Sequence, residues 1–431
     1  MHQHAVPSDD CCIAFLNDAT PLPMMFAAPG SPGEAIGFRA AAGPPGVRPR
    51  NPPFGGFKRF DVKVKSHWRQ DVSAICSGSV RNNHMRRQFR HSVFLLFAVA
   101  FASCFVQGQE YAVGADVSFL GQAEQQGVVF KDGGIAKPCL EILKAHGYNW
   151  VRLRLFHTPT ELPNNLEYTI SLAKNAKKLG FKFLLDYHYA DDWADPGKQP
   201  VPKAWQGKSH AELVKAVFEY TRDTIVAFRD AGVLPDMVQV GNEIINGMMW
   251  PDGKLPENWD HFAQLVYAGI NGVDAGRGNG PRPKIMIHID RGADIKGTKA
   301  FLDKLNSYDL PYDIIGQSYY PWWHGSLNDL RRNLEFMAAE YQKDIIVVEA
   351  AYNWQPGNYV NKPAPFAESP EGQRTFLDEV NRVVMETPNG RGKGIFWWEP
   401  AVTGQLTIRG FFDDQHNALP VITVFDRFTR K

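Results

Sequence analysis

From residue 109 onward the sequence predicts a (β/α)8 barrel. Short apolar runs rich in β-branched and aromatic residues alternate with amphipathic runs of helical period, and eight such strands can be counted. Strand and helix alternating eight times predicts parallel strands closed into a barrel. The segment from residue 109 to the end of the sequence has about 320 residues, which is within the size range of that fold. A doubly wound open sheet is the alternative, but no GxGxxG or GxxxxGK motif follows any strand.

The predicted strands are separated by runs whose apolar positions recur at helical spacing, such as IAKPCLEILKAHG, LEYTISLAKNAKKLG and SLNDLRRNLEFMAAEYQ. Each strand is a short apolar run with few charges except near its end, as expected for parallel strands covered by helices. In chain order the predicted strands are 111–118, 150–156, 182–189, 237–243, 284–290, 314–320, 345–352 and 394–400.

Polar residues collect at the carboxyl ends of these strands. The carboxyl ends of barrel strands meet at one face, where the active sites of this fold lie. A single polar strand end could cap a helix, but eight in the same position predict a shared pocket. The polar ends comprise Asp116, Arg152, Arg154, His188, Asn242, Glu243, His288, Asp290, Tyr319, Tyr320, Glu349, Trp398 and Glu399.

The composition excludes some classes of function. A formal net charge of +1 gives no support for binding to nucleic acid or to a membrane surface. Aromatic residues make up 12% of the chain and include 11 tryptophans, which suits a surface that stacks on sugar rings. A tryptophan-rich core explains the same count equally well, so composition alone does not decide.

Residues 85–108 predict a signal peptide that begins well inside the chain. Three arginines precede an apolar run of 13 residues, too short to span a bilayer comfortably, and small residues precede Gln109. Residues 1–84 are rich in Pro, Gly and Ala, and they predict either a disordered extension or a start codon assigned too early. The true start is then Met1 or Met85. A single N-terminal anchor helix is the structural alternative.

Lipid anchoring through Cys104 is a weaker prediction, because Phe101 stands where a lipobox usually has Leu. Cleavage before Gln109 leaves Cys139 as the one cysteine of a catalytic domain at residues 109–431. That domain can form no internal disulfide, and we expect Cys139 to be a core thiol.

Two glutamates fit the chemistry of glycoside hydrolysis, which needs two carboxyl groups across the scissile bond. Glu243 and Glu349 end the fourth and seventh predicted strands, which are nearly opposite in an eight-stranded barrel. A separation of about 5–5.5 Å would make the mechanism retaining. Asn242 could bond a sugar hydroxyl, and either Arg152 or Arg154 could keep the nucleophile ionised, since both lie on one strand face.

Seven segments resemble the arabinogalactan endo-β-1,4-galactanases of glycoside hydrolase family 53. They are VRLRLF, DYHYADDWADPGKQPVPKAW, PDMVQVGNEIINGMMWP, KIMIHIDRG, GQSYYPWWHG, VVEAAY and GIFWWEP, and the likeness runs from about Gly114 to about Arg427. The resemblance implies retaining endo-hydrolysis of β-1,4-galactan, with Glu243 as acid/base and Glu349 as nucleophile.

The resemblance also implies supporting roles for other residues. Arg152, His188 and Asn242 would assist the two glutamates, Trp398 would form the floor under the cleaved sugar, and Asp290 and Tyr319 would line the pocket. One departure from relatives is Ala350, where they often have Thr. The expected proximity of His188 to His288 and Asp290 in the fold could suggest a metal, but no ligand spacing supports one, and we expect a hydrogen-bonding histidine.

Four further tryptophans are candidate subsite aromatics: Trp193, Trp205, Trp250 and Trp322. Anchoring of their own loops is the competing interpretation for the two in the Pro/Gly-rich loop after the third strand. We expect no cofactor. Calcium is a weaker expectation for the loop after the eighth strand, where Asp413 and Asp414 offer oxygen ligands that more often belong to a solvated turn.

Two alternatives remain open at this point. One is another retaining barrel enzyme that cuts mannan or glucan and has the same two carboxylates. The spacing of residues in the sequence does not show which sugar stereochemistry the enzyme accepts. A non-catalytic carbohydrate-binding barrel is the other, although both glutamates are present. We expect a monomer that acts on a polysaccharide and is secreted, periplasmic or held at the cell surface.

Overall fold

The computed structural model describes residues 110–357 and 364–428. The predicted extension (1–84) and signal peptide (85–108), with Met85 and Cys104, lie outside the described residues. The described part forms a closed barrel of eight parallel strands, which confirms the predicted fold. The strands are β1 (Ala112–Asp116), β2 (Trp150–Leu155), β3 (Lys182–Tyr187), β4 (Met237–Val240), β5 (Lys284–Ile289), β6 (Ile314–Tyr319), β7 (Asp344–Ala350) and β8 (Gly392–Trp398).

Each strand pairs with its neighbours in chain order, and β1 closes the barrel against β8. The register at the closure pairs Gly114 with Phe396 and Asp116 with Trp398. Gly114 permits this close approach, because a Cβ at that position would lie 2.1 Å from the Phe396 ring. β4 is therefore three strands away from β7 around the barrel, which agrees with the predicted placement of the two glutamates across one pocket.

Helices connect the strands and cover the barrel. They are α1 (Leu120–Gln125), α2 (Cys139–Ala145), α3 (Leu166–Lys178), α4 (His210–Asp230), α5 (Trp259–Gly276), α6 (Ile295–Asn306), α7 (Pro321–His324), α8 (Leu327–Glu340) and α9 (Pro370–Met385). Side-chain N-caps fix several helix starts: Asn165, Asp294, Ser326 and Ser369 each accept a backbone N–H of the first turn. In the described ranges no helix combines the length and apolarity needed to cross a bilayer.

The core has two layers. Inside the barrel, large apolar side chains from the lower halves of the strands, such as Trp150, Met286 and Phe396, form a floor. Between strands and helices lies the larger layer, which includes Cys139, a buried free thiol as predicted. The apolar floor leaves the upper, carboxyl ends of the strands for polar side chains.

Most predicted strands extend too far at their carboxyl ends. β4 ends at Val240, and Gly241 and Glu243 then adopt left-handed conformations with φ of 87° and 47°. Such backbone cannot continue a strand. Glu243 therefore stands in a tight turn just above β4, not on the strand itself, and the turn directs its side chain back over the barrel mouth.

Candidate active site

Glu243 and Glu349 lie at the carboxyl face of the barrel, and each is 5% exposed. Glu349 belongs to β7, whereas Glu243 leads into the short 3-10 turn Ile244–Asn246. Two residues at the end of β6 connect them: Ser318 bonds to Glu243 and Tyr320 bonds to Glu349. Both carboxyl groups therefore face the same pocket, from either side of this strand end.

Glu349 is surrounded by groups that favour its anion. Arg152 Nη1 lies 2.7 Å from Oε1, and the Tyr320 hydroxyl donates to Oε2 at 2.7 Å. Charge-assisted contacts of this kind are the strong hydrogen bonds of proteins. The structure thus selects Arg152 over Arg154 as the cation beside Glu349, a choice that the sequence left open.

Glu243 has the opposite environment. Its carboxyl group accepts a hydrogen bond from the Ser318 hydroxyl at 2.6 Å, and none of the ion pairs among the described residues includes it. Burial and the nearby negative charges of Glu349 and Asp290 raise the pKa of Glu243 well above its ordinary value. A raised pKa favours the protonated form of the carboxyl group, which is the form that a proton donor needs.

A histidine orients the serine that touches Glu243. His288 Nε2 lies 2.8 Å from Ser318 Oγ. Since Ser318 gives its own proton to Glu243, its oxygen accepts from His288, and Nδ1 is left to accept the Gln239 amide at 2.9 Å. Burial and the adjacent Arg152 lower the pKa of His288 well below its usual value, which fits a neutral ring in this chain of bonds.

Arg152 is the centre of a buried polar network. Besides Glu349 it contacts Asp116 and Asp186, each at 2.8 Å, and it donates to Asn242 Oδ1 at 2.9 Å. Burial alone would raise the pKa of Asp186, but Arg152 and the nearby histidines lower it to about 2. The network neutralises charges that would otherwise be costly to bury, and it fixes the guanidinium against the nucleophile candidate.

A second buried ion pair, between an arginine and a glutamate, lies beside this network. Arg154 pairs with Glu399, a fully buried glutamate that follows β8 in a left-handed conformation with φ of 57°. Burial raises the pKa of Glu399 to about 8. Neither residue touches Glu243 or Glu349, so this pair serves to anchor the end of β8, which carries Trp398.

His188 and Asn242 both belong to the polar network around Arg152. His188 Nδ1 accepts the Ala194 N–H at 3.0 Å, and its Nε2 stands 3.2 Å from Asp186. Asn242 Nδ2 donates to the Ala194 carbonyl at 2.8 Å. His188 is therefore a hydrogen-bonding histidine, as predicted. Through their bonds to Ala194, His188 and Asn242 both hold the loop after β3 against the pocket.

Trp398 and Asp290 also border the carboxyl groups. Trp398 is partly exposed, and its ring centroid lies 6.2 Å from Trp193 and 6.3 Å from Tyr320. Asp290 pairs with Arg291, yet burial raises its pKa to about 6. An aromatic wall next to two carboxyl groups suits a ring that is apolar on one face and polar at its edge.

Tyr319 does not line the pocket, contrary to the prediction. Its ring is fully buried on the outer side of β6, stacked 6.0 Å from Phe376, and its hydroxyl donates to the Gly325 carbonyl. Because side chains alternate along a strand, the next residue, Tyr320, points inward instead and contacts Glu349. Ser318 and Tyr320 could have been found by this alternation.

Trp322 is also misassigned as a subsite aromatic. Its ring is 3% exposed and stacks on Tyr352 at 5.3 Å, inside the layer between barrel and helices. Trp193 packs against Phe119 and under the Arg154 guanidinium, so it supports the pocket wall. At Trp322 the core interpretation describes the observed packing. Trp193 is partly exposed beside Trp398 and stays a predicted subsite aromatic.

Trp205 and Trp250 lie on a neighbouring groove. Trp205 is largely buried against His157, whereas Trp250 is partly exposed, with Lys254 above its ring. The groove has a volume of 630 Å³, and neither Glu243 nor Glu349 lines it. Trp250 is held to the active-site rim through its backbone bond to Gln199, whose amide reaches the Asn242 carbonyl.

The loop considered for calcium uses its carboxylate internally. Asp413 Oδ1 accepts the backbone N–H groups of Gln415 and Asn417 at 2.9 and 2.8 Å, while Asp414 is exposed. That arrangement is a turn stabilised by an aspartate, as the alternative interpretation predicted. Calcium binding by this chain stays an untested expectation.

The (β/α)8 barrel buries two glutamates at its carboxyl face, one paired with an arginine and the other with a raised pKa. This arrangement is that of a glycoside hydrolase. The family model "Glycosyl hydrolase family 53" matches residues 112–425, and the chain belongs to that family. The match covers the whole barrel, from the first residue of β1 into the C-terminal 3-10 segment Pro420–Phe428.

Individual relatives agree with this assignment. The chain is 42% identical over 311 residues (68% of this chain, 84% of the relative) to an "Uncharacterized protein in bgaB 5'region" of Niallia circulans. It is 36% identical over 336 residues (73% and 98%) to the "Arabinogalactan endo-beta-1,4-galactanase" of Thermothelomyces thermophilus. A solved structure from a study of two fungal beta-1,4-galactanases superposes with a TM-score of 0.69 and 33% identity, covering 73% of this chain and 99% of that one.

Proposed function

We propose that this chain hydrolyses β-1,4-galactan at internal bonds with retention of configuration. Membership of family 53 and the galactanase names of its relatives support this substrate and this reaction. The observation that carries the division of labour is the unequal environment of the two carboxyl groups. Glu349 contacts a guanidinium, whereas Glu243 contacts a single hydroxyl and lies close to other negative charges.

Glu349 is the proposed nucleophile. Arg152 and the Tyr320 hydroxyl hold its two oxygens, so the carboxylate is paired with a cation and fixed in orientation before substrate binds. It attacks the anomeric carbon and forms a glycosyl ester, while the bond to the leaving oxygen breaks. Pre-organised groups of this kind cost no reorganisation at the moment of reaction.

Glu243 is the proposed acid/base. In its protonated form it donates to the leaving oxygen, and in the second step its carboxylate takes a proton from the attacking water. The negative charge of Glu349 helps to raise the pKa of Glu243, and that charge disappears when Glu349 becomes an ester. The pKa of Glu243 therefore falls in the intermediate, which suits its change from acid to base.

Trp398 is the proposed platform for the sugar at the cleavage point. Its partly exposed ring adjoins Tyr320, the residue that holds Glu349, so a sugar stacked on it lies within reach of the nucleophile. His188, Asn242 and Asp290 supply polar groups around the same space. Stacking of a sugar's apolar face on an aromatic ring, with polar groups at its edge, is the usual design of such sites.

The test is release of reducing ends from debranched β-1,4-galactan by the full chain, beside the Glu349→Gln and Glu243→Ala variants. We expect Glu349→Gln to lose activity by several orders of magnitude. Glu243→Ala should lose less on an aryl glycoside, because an activated leaving group needs no acid. Release from mannan, xylan or glucan but not from galactan would overturn the substrate, and turnover by Glu349→Gln at the wild-type rate would overturn the nucleophile.

We further propose that the protein is exported and acts as a monomer. A polymer such as galactan is met outside the cytoplasm, and residues 85–108 have the composition of a signal peptide. Amino-terminal sequencing of the mature protein from its natural source tests the cleavage before Gln109. Light scattering of the purified protein tests the monomer, and a dimer mass would contradict it.

A further inference from the structure

Two histidines and an aspartate form a second polar cluster away from the catalytic carboxyl groups. His210 is the first residue of α4, Asp252 lies in the loop that follows β4, and His261 lies in the first turn of α5. Asp252 and His261 also line the 630 Å³ groove described above. Three separate segments of the chain thus bring metal-ligating side chains to one point at the surface.

The geometry of this cluster is compact. His210 Nδ1 lies 2.7 Å from Asp252 Oδ2, and His261 Nδ1 lies 3.1 Å from Asp252 Oδ1. The ligand atoms of all three residues lie within 4.8 Å of one another. His210 Nε2 is buried and has no hydrogen-bond partner, so its ring is committed to the carboxylate through Nδ1 alone.

We propose that His210, Asp252 and His261 bind a divalent transition-metal ion of the zinc type. Two imidazole nitrogens and one carboxylate oxygen are a ligand set that Zn²⁺ takes in proteins, with water in the remaining position. Calcium and magnesium prefer oxygen ligands throughout, so the two nitrogens select against them. The bound ion replaces the two Nδ1 protons that Asp252 accepts in the metal-free form.

The distances allow this with small movements. Ligand atoms about 2.0–2.2 Å from a tetrahedral ion stand roughly 3.4 Å apart, which is about 0.7 Å beyond the present His210–Asp252 contact and about 0.3 Å beyond the His261–Asp252 contact. The two imidazole rings are now stacked, with centroids 3.7 Å apart and planes inclined by 12°. Nitrogen lone pairs in parallel planes cannot converge on one ion, so one ring must turn, and His261, whose side chain is 44% exposed, has the room.

Occupation of this site has a consequence for the groove. An ion held by Asp252 would fasten the loop carrying Trp250 to the N-terminal ends of both α4 and α5. The same loop continues from the turn that presents Glu243, and Trp250 bonds through its indole N–H to the Asn246 carbonyl. The ion therefore has a structural role: it stabilises the loop beside the active site and takes no part in the reaction.

The test is titration of the full chain with Co²⁺ and Zn²⁺, beside His261→Gln, His210→Gln and the control His146→Gln. His146 is a matched control, because it pairs with Asp426 at 2.6 Å and lies 3.6 Å from Asp132, yet it belongs to no group of three converging metal ligands among the described residues. Wild type and control should show one equivalent of Co²⁺ with a d–d absorption band, and Zn²⁺ should displace it. Each cluster variant should bind more than tenfold more weakly.

Equal affinity in wild type and in both cluster variants would overturn the proposal. Other histidines and cysteines of the full chain can hold metal, and the comparison with the variants separates them from this cluster. A crystal of the wild-type protein soaked in zinc chloride supplies a measurement that does not depend on the variants. An anomalous peak within bonding distance of all three side chains supports the site, and the absence of such a peak there refutes it.

Discussion

Ser318→Ala is the most informative single change to the proposed acid. The substitution removes one hydroxyl, which bonds to Glu243 at 2.6 Å and lies 2.8 Å from His288 Nε2. Ser318 is fully buried, so no bulk water replaces the lost donor directly. The variant therefore isolates the contribution of this one hydroxyl to the acid/base.

The expected magnitude follows from what the hydroxyl stabilises. A hydrogen bond to a charged group contributes about 1.5–3 kcal/mol, against about 0.5–1.5 kcal/mol for a neutral pair. The bond from Ser318 thus favours the carboxylate form of Glu243 over its acid form by about 1–1.5 kcal/mol. One pKa unit corresponds to about 1.4 kcal/mol, so its loss should raise the pKa of Glu243 by about one unit.

The assay is the pH profile of kcat/KM on galactan. The alkaline limb reports the acid of the free enzyme, so it should move upward by about one pH unit in Ser318→Ala. A less acidic and less firmly held donor should also lower kcat on galactan, with a smaller effect on an aryl galactoside. Ser326→Ala is the matched control: it removes a serine that caps α8 and should cost about 1 kcal/mol of stability without moving the profile.

An alkaline limb that stays in place in folded Ser318→Ala would contradict this prediction. It would mean either that the hydroxyl does not bond to the acid in solution or that Glu243 is not the group that titrates. An equal shift of the alkaline limb in Ser318→Ala and Ser326→Ala would also contradict the prediction. The Ser326 side chain bonds to Asp329 in the first turn of α8, and none of its hydrogen bonds among the described residues reaches Glu243 or Glu349.

Three further substitutions test other parts of the structure. Tyr320→Phe should lower kcat/KM on galactan roughly ten- to hundredfold, because Glu349 loses a charge-assisted hydrogen bond, and an unchanged rate would contradict the assigned contact. Glu399→Gln should flatten the dependence of stability on pH. The folded pKa of about 8 exceeds the ordinary 4.5, so the wild type loses a few kcal/mol of unfolding free energy between about pH 4.5 and 8. Urea unfolding at pH 5 and 8 measures this, and equal slopes in both proteins would refute it. Gly114→Ala should lower the unfolding free energy by about 1–3 kcal/mol, because its Cβ would overlap Phe396; wild-type stability would show that the closure of the barrel is looser than described.

The sequence predicted the barrel well because parallel strands covered on both faces are continuous apolar runs. The strands from β2 to β6 begin at the predicted residues. Their carboxyl ends were predicted less well, since hydrophobicity does not reveal a turn. Glu243 and Glu399 both take left-handed conformations after their strands, and such strained backbone is common at functional sites but is not encoded by periodicity.

Within the site, the sequence predicted which types of residue are present, but it did not predict which side chains contact one another. Two glutamates with an arginine at strand ends indicated the chemistry, but the choice of Arg152 over Arg154 depends on distances between strands. Tyr319 and Tyr320 are indistinguishable by type, and only the alternation of β6 places the second one on Glu349. Ser318 was missed because serine is not distinctive by residue type, and only the alternation that it shares with Tyr320 places it on the pocket face.

Trapping of the covalent intermediate tests whether Glu349 is the nucleophile of a retaining galactanase. The most direct measurement is incubation with a 2-deoxy-2-fluoro-β-galactobioside bearing an activated leaving group, followed by mass spectrometry of the digested protein. The fluorine slows hydrolysis of the intermediate, so the glycosyl ester should accumulate on the peptide containing VVEAAY, at Glu349. A label on another residue, or inactivation of Glu349→Gln at the wild-type rate, would show that Glu349 is not the nucleophile.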